Sequence, residues 1–239
     1  MPVAAYLLAG GRSSRMGQDK AMLPLSGRTL LSIAVAKVRS LAALAPTEGE
    51  MRVTVLGDRV SLEGADRSLR DHHPGCGPLG GIEAALQDLT VHSHADLAFF
   101  LPVDMPFLPA SLLDALLREW LQADREGALA CWCIVDGRSQ PLVSLVHRSL
   151  YPFVVDSIGQ GRYKVASVLQ DACLAVGGSS AAHFVEQTQV FVDGPHLRRT
   201  AWSASPAENR VRDLWFANLN TPEEFRNAEI RMAAEGISV

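Results

Sequence analysis

Apolar residues run together from Val3 to Leu8, the composition of a buried strand. From Thr29 to Leu44 they recur at helical spacing, through Leu30, Leu31, Ile33, Ala34, Val38 and Leu41. Met51 to Leu56 reads as a second strand. Between Gly57 and Gly75 the chain is polar and poorly periodic. A Gly/Pro loop, Pro74 to Ile82, then opens a helical pattern that ends near Leu89. Asp96 to Val103 predicts a strand, followed by a helix from about Ser111 to Ala123. Ala128–Val135 and Leu142–Val146 predict strands on either side of an Asp136-Gly137 turn, and Arg148–Ile158 and Lys164–Ala172 predict helices.

From Gly177 to Arg212 the pattern weakens, and Phe191-Val192, Arg198-Arg199 and Trp202 form no clear element. The segment reads as an excursion added to an otherwise complete sheet, and therefore as deletable. Order returns at Leu214-Trp215-Phe216-Ala217. Thr221 as N-cap, Pro222 at the first helical position and Glu224 three residues after the cap announce a final helix to about Ala234.

Strands alternating with helices predict an α/β domain whose mostly parallel sheet is covered on both faces. The 239 residues read as one domain, 1–239, with the excursion at about 177–212. Ligands of such sheets bind at the carboxyl ends of strands. The loops after Leu8, after Val103 and after Ala217 are expected at such ends. The composition is ordinary for a globular chain, at 48% hydrophobic and 20% charged residues. A net charge of −4 speaks against a nucleic-acid surface. The apolar start is too short for a signal peptide, and no run approaches a membrane span. Cys76, Cys131, Cys133 and Cys173 lack the paired spacing of a zinc site. A reduced, cytoplasmic protein without structural disulfides is expected.

The first predicted strand runs into Ala9-Gly10-Gly11-Arg12-Ser13-Ser14-Arg15-Met16-Gly17-Gln18-Asp19-Lys20. Glycines let a backbone approach a ligand and expose its N–H groups, and Arg12, Arg15 and Lys20 bring positive charge. This is the chemistry of a loop that wraps a polyphosphate. It is neither a Walker loop, since Gly17 is followed by Gln18-Asp19, nor a dinucleotide fingerprint, since Gly10 and Gly11 are adjacent. Asp104 at the next informative strand end can hold Mg2+ against phosphate oxygens, or can be a turn aspartate before Pro106. Asp19 either orients Lys20 or caps the turn after it. His72 and His73 read as loop residues, because no third ligand is suggested.

The stretch from Leu8 to Lys20 resembles the signature L-A-G-G-x-S-x-R-M-G-x-D-K of the molybdenum cofactor guanylyltransferases, within the MobA-like nucleotidyltransferases. Every specified position matches. Gly77-Pro78-Leu79 with Gly81-Ile82 resembles the family's G-P-L-x-G-I, Asp104-Met105-Pro106 its D-x-P, Arg138 to Pro141 its R-x-Q/H-P, and Asn218 to Pro222 its N-x-N-T-P. The resemblance implies a Rossmann-like three-layer nucleotidyltransferase fold. It implies transfer of GMP from GTP to the phosphate of molybdenum-molybdopterin, with Mg2+ as cofactor and release of pyrophosphate.

The resemblance also implies roles for single residues. Arg15, Lys20 and Asp104 would be catalytic, with Asp104 the metal ligand. Leu8, Ala9, Gly10, Gly11, Lys20, Asp71, Gly77 and Asp104 would bind the nucleotide. Arg138, Gln140, Asn218 and Asn220 would bind the acceptor. Read alone, Asp71 is equally a solvated loop aspartate, and the two asparagines are turn and capping residues. Leu56 stands where some members carry a nucleotide-touching Asn. GTP and molybdopterin are the expected partners, along with proteins that deliver or receive molybdenum cofactor, and no nucleic acid or membrane. Gly10, where cytidylyl relatives have Ala, favours GTP. A cytidylyltransferase for the same cofactor and another small-molecule or sugar nucleotidyltransferase stay open. So does a noncatalytic nucleotide-binding module, against which Lys20 and Asp104 together argue.

Overall fold

The structure, a computed structural model, describes residues 2–9, 19–42, 51–57, 61–92, 95–123, 128–135, 137–177, 179–186, 189–193, 198–200 and 204–237. In chain order the elements are β1 (Val3–Leu8), β2 (Pro24–Leu25), β3 (Arg28–Thr29), α1 (Leu30–Ala42), β4 (Val53–Leu56), β5 (Arg67–Leu69), α2 (Pro78–His92), β6 (Leu97–Pro102) and α3 (Ala110–Ala123). After these come β7 (Ala128–Val135), β8 (Arg138–His147), α4 (Tyr151–Gly159), α5 (Val165–Ala175), β9 (Ser179–Glu186), β10 (Gln189–Asp193), β11 (Arg198–Thr200), α6 (Pro206–Asn209) and α7 (Pro222–Glu235).

Among the described residues, nine strands form one sheet in the order β11-β10-β9-β7-β8-β6-β1-β4-β5. The pairings set the directions: only β8 and β10 run against the other seven. The sheet is therefore mostly parallel in sense. β2 and β3 make a separate hairpin. Its turn residues Ser26 and Gly27 have φ of 49° and 82°, the left-handed pair that a tight two-residue turn requires.

Strand alternation sends side chains to two cores. In β1, Val3, Ala5 and Leu7 join α1, α3 and α7 on one face, while Ala4 and Tyr6 join α2, α4 and α5 on the other. β6 divides in the same way, with Leu97, Phe99 and Leu101 against Ala98 and Phe100. The result is the three-layer α/β architecture expected. A buried polar tie crosses it. Tyr6 Oη donates to Asp88 Oδ2 at 2.6 Å, and Arg67 reaches the same oxygen, so α2 is fastened to β1 and β5. Burial, then the Asp88 carboxylate, pushes the Tyr6 hydroxyl far above its ordinary range.

Three expectations need correction. The segment after Gly177 is not an undefined excursion. Its strands β9, β10 and β11 continue the central sheet, with β9 paired in parallel to β7. Ser179-Ser180-Ala181-Ala182 opens β9 with residues of weak strand preference, so local pattern conceals a strand that long-range pairing makes. Leu214 to Ala217 is no strand but the end of a 3-10 turn (Arg212–Leu214) and the coil after it. β5 lies inside the stretch that reads as featureless.

All four cysteines are buried, Cys131 and Cys133 as alternate residues of β7. Burial pushes the Cys133 thiol up to about 12. Among the described residues no helix is long and apolar enough to cross a membrane.

Candidate active site

β1 is the centre of the site because both of its neighbours run parallel to it. Leu8 lies level with Leu56 of β4 on one side and Pro102 of β6 on the other. The chain leaving β6 stays attached, since Val103 N donates to Leu8 O at 3.2 Å. The segments leaving β1 and β6 therefore emerge side by side at the carboxyl edge.

Gly10, Gly11, Arg12 and Arg15 lie outside the described residues. At the far end of that loop, Asp19 Oδ1 accepts from Ala21 N at 3.1 Å and caps the 3-10 turn Lys20–Met22. Capping is one of its two expected roles. Lys20, lifted by that turn, donates from Nζ to Asp104 Oδ2 at 2.7 Å and to Asn220 Oδ1. The backbone closes the group, with Leu219 N donating to Asp104 O at 3.0 Å. Three segments far apart in sequence thus meet on one ammonium.

Asn220 is held from behind. Its N–H donates to Glu224 Oε2 at 2.6 Å, and Thr221 N donates to the same oxygen at 2.7 Å. Thr221 Oγ1 accepts from Glu224 N, which completes the capping box of α7. The Glu224 carboxyl is held below its ordinary range, first by the Asn220 N–H. Asn220 Nδ2 donates to Asn218 O at 3.3 Å, which turns its carbonyl oxygen toward Lys20.

A second group gathers where α2 begins. Pro78 takes the first helical position, and Gly77, at φ 61°, makes the turn before it. A Cβ added at Gly81 would lie 3.3 Å from Leu56 Cδ1, 3.4 Å from Asp71 Oδ1 and 3.5 Å from Leu8 Cδ2. Asp71, Leu8 and Leu56 therefore crowd the first turn of the helix. A Cβ at Gly80 would meet His73 O at 3.0 Å, so the bare glycine admits the loop backbone. Burial pushes the Asp71 carboxyl up from its ordinary value, against the pull of His72. His72 Nδ1 is 3.6 Å from Glu83 Oε2, a buried carboxylate on α2.

Arg138 and Gln140 begin β8. The β6–β8 register pairs Phe100 with Ser144 and Leu97 with His147. That pairing ends at Ser144, short of Gln140, and the β7–β8 register shifts between Ser144 and Gln140. Lys37 of α1 is a residue that pattern reading missed. Its ammonium donates to the carbonyl of Pro106, two residues beyond Asp104, and burial pushes it down to about 7. It stands in an apolar helical pattern, and nothing local marks its partner.

The chemistry of such a site is electrostatic. A lysine and a carboxylate at adjacent parallel strand ends, beside a helix N-terminus, suit the charge of a nucleoside triphosphate. The fold is that of the nucleotidyltransferases. It superposes on molybdopterin-guanine dinucleotide biosynthesis protein A from Archaeoglobus fulgidus with a TM-score of 0.65, covering 97% of this chain and 99% of that one at 19% identity, a likeness of fold.

The chain belongs to the MobA-like NTP transferase family, whose domain pattern matches residues 5–176. It is 42% identical over 116 residues to the molybdenum cofactor guanylyltransferase of Xanthomonas euvesicatoria pv. vesicatoria, a match spanning 48% of this chain and 54% of that protein. The chain thus spans about half the length of that relative. It is 33% identical over 178 residues to the probable molybdenum cofactor guanylyltransferase of Mycobacterium bovis strain BCG / Pasteur 1173P2, over 71% of this chain and 80% of the relative.

Proposed function

We propose that this nucleotidyltransferase moves GMP from GTP to the phosphate of molybdenum-molybdopterin, releasing pyrophosphate and forming the guanine dinucleotide cofactor. The observation that carries the reading is the meeting of Lys20, Asp104 and Asn220 at the carboxyl edge of β1 and β6. The names of the relatives supply the substrates.

An oxygen of the acceptor phosphate attacks the α-phosphorus in line as the bond to the bridging oxygen of pyrophosphate breaks. The acceptor is already anionic, so no general base is required. The protein contributes positioning and charge neutralisation. Lys20 faces the triphosphate and stabilises the charge that shifts toward pyrophosphate. Arg15 adds a second cation in this reading, and Leu8, Ala9, Gly10, Gly11, Asp71 and Gly77 hold the nucleotide. Arg138, Gln140, Asn218 and Asn220 face the acceptor.

The donor set fits Mg2+. Among the described residues no group of three or more His, Cys, Asp or Glu could hold a metal. A lone, part-exposed carboxylate suits a hard cation that takes its remaining ligands from water and phosphate oxygens. Asp104 would hold it, and the ion would neutralise charge on the triphosphate. The cytoplasm is the setting, and proteins that deliver or receive molybdenum cofactor are the partners.

The test is pyrophosphate release with each of the four common nucleoside triphosphates, with and without molybdenum-molybdopterin. Release with GTP that requires the acceptor is expected. Equal or better turnover with CTP would replace the reading with a cytidylyltransferase.

A further inference from the structure

We propose that Asn220 is a positioning residue for Lys20, holding the ammonium at the triphosphate with a neutral acceptor and so coupling the segment before α7 to nucleotide binding. The inference rests on the nucleotide site proposed above.

Lys20 Nζ, Asp104 and Asn220 form a closed ring. Nζ donates to Asp104 Oδ2 at 2.7 Å and to Asn220 Oδ1, and Leu219 N donates to Asp104 O at 3.0 Å, which ties the two acceptors together. The amide of Asn220 is oriented by the bond from its Nδ2 to Asn218 O, and its backbone by the bond from its N–H to Glu224 Oε2. A residue held on both sides, with its carbonyl on the ammonium, restricts where a long lysine can go. Its charge matters as much as its place. Asp104 already brings one negative charge to Lys20. A second carboxylate at position 220 would leave the group net negative where a triphosphate must enter. A neutral amide keeps the hydrogen bond without cancelling the cation. When Asp104 serves a metal, Asn220 is the acceptor that still holds Lys20.

The experiment measures the dissociation constant of GTP with Mg2+, without acceptor, by titration calorimetry. Asn220→Ala is expected to weaken binding about tenfold, the loss of one hydrogen bond to a charged group. Asn220→Asp, which keeps size and capping geometry and therefore the fold, is expected to weaken it further. In a Lys20→Ala background the Asn220→Ala effect should vanish, while the added charge of Asn220→Asp still repels the triphosphate. Unchanged nucleotide affinity in both variants, with only the acceptor KM raised, would leave Asn220 with its acceptor role alone and overturn the inference. Equal losses for Asn220→Ala with and without Lys20 would also overturn it, as a general structural effect. A parent that binds none of the four triphosphates overturns the proposed function itself, and the inference with it.

Discussion

Replacing Asp104 separates catalysis from stability by a margin the structure makes calculable. The Lys20–Asp104 pair is 2.7 Å long, and its side chains are 21% and 25% exposed. The pair is part-buried but still in contact with water, which screens it, and its contribution to folding is about 1 kcal/mol or less. In a chain of this size that is a Tm shift below about 4 °C. The backbone bond from Leu219 N to Asp104 O survives any side-chain change. If Asp104 carries the metal at the triphosphate, its loss removes a preorganised electrostatic contact. Such contacts are worth roughly 2.7–4 kcal/mol in the transition state, a 10²–10³ loss of turnover.

Two variants divide the effect. Asp104→Asn keeps an oxygen that can accept from Lys20 but removes the charge, and Asp104→Ala removes both. Pyrophosphate release at saturating substrates should fall 10²–10³ in each, with melting temperatures within about 4 °C of the parent. The response to Mg2+ concentration should disappear over the range where the parent responds. Near-parental turnover with the parental Mg2+ response would make Asp104 a turn residue and refute the reasoning. So would a loss of turnover matched by a melting temperature lowered far beyond that range.

Neighbouring elements carry the other predictions. Burial holds the Asp71 carboxyl above its ordinary value, so its charge opposes folding: the penalty is absent below the unfolded value of about 3.9 and fully felt above the folded one. Asp71→Asn should therefore melt higher than the parent at pH 7, lose that advantage as the pH is lowered toward 4, and bind GTP more weakly; melts across pH and a binding titration check both. Thr221→Ala removes one half of the capping box of α7 and should cost about 1 kcal/mol, a drop of about 2–4 °C by calorimetry. Deleting Ser179 to Arg210 uncovers β7 along its length. It also removes Glu208, which accepts from Ser111 Oγ at 2.6 Å and from Trp215 Nε1 at 3.1 Å. The shortened chain should lack cooperative unfolding by circular dichroism and aggregate on size exclusion; a folded monomer would show that β9 to β11 are dispensable.

Local physics was readable along most of the chain. The unbroken apolar run of β1, the 3.6-residue spacing of α1 and α3, and the Gly-Pro entry to α2 depend only on near neighbours. So does Thr221-Pro222-Glu223-Glu224, whose expected cap, first position and reciprocal carboxylate all occur at the predicted residues. The alternation of strands and helices also settled the three-layer architecture, because each strand buries both faces only when helices cover both. The signature from Leu8 to Lys20 pointed to the family before any contact was known.

What the tertiary structure alone decided is who meets whom. Lys20 and Asn220 are 200 positions apart, and no local preference of either predicts one hydrogen bond between them. Strand order makes it, by setting β6 beside β1 and docking Leu219 on the carbonyl of Asp104. The same holds for β9, whose small polar opening has no strand pattern until β7 offers its unpaired edge. Lys37 likewise acquires a partner only because α1 packs against the turn after β6. Helix and turn signals arise from bonds between close neighbours, and a sequence displays them. Sheet order and the ring around Lys20 arise from bonds across long loops, whose energy depends on which edge is free once the rest of the chain has folded.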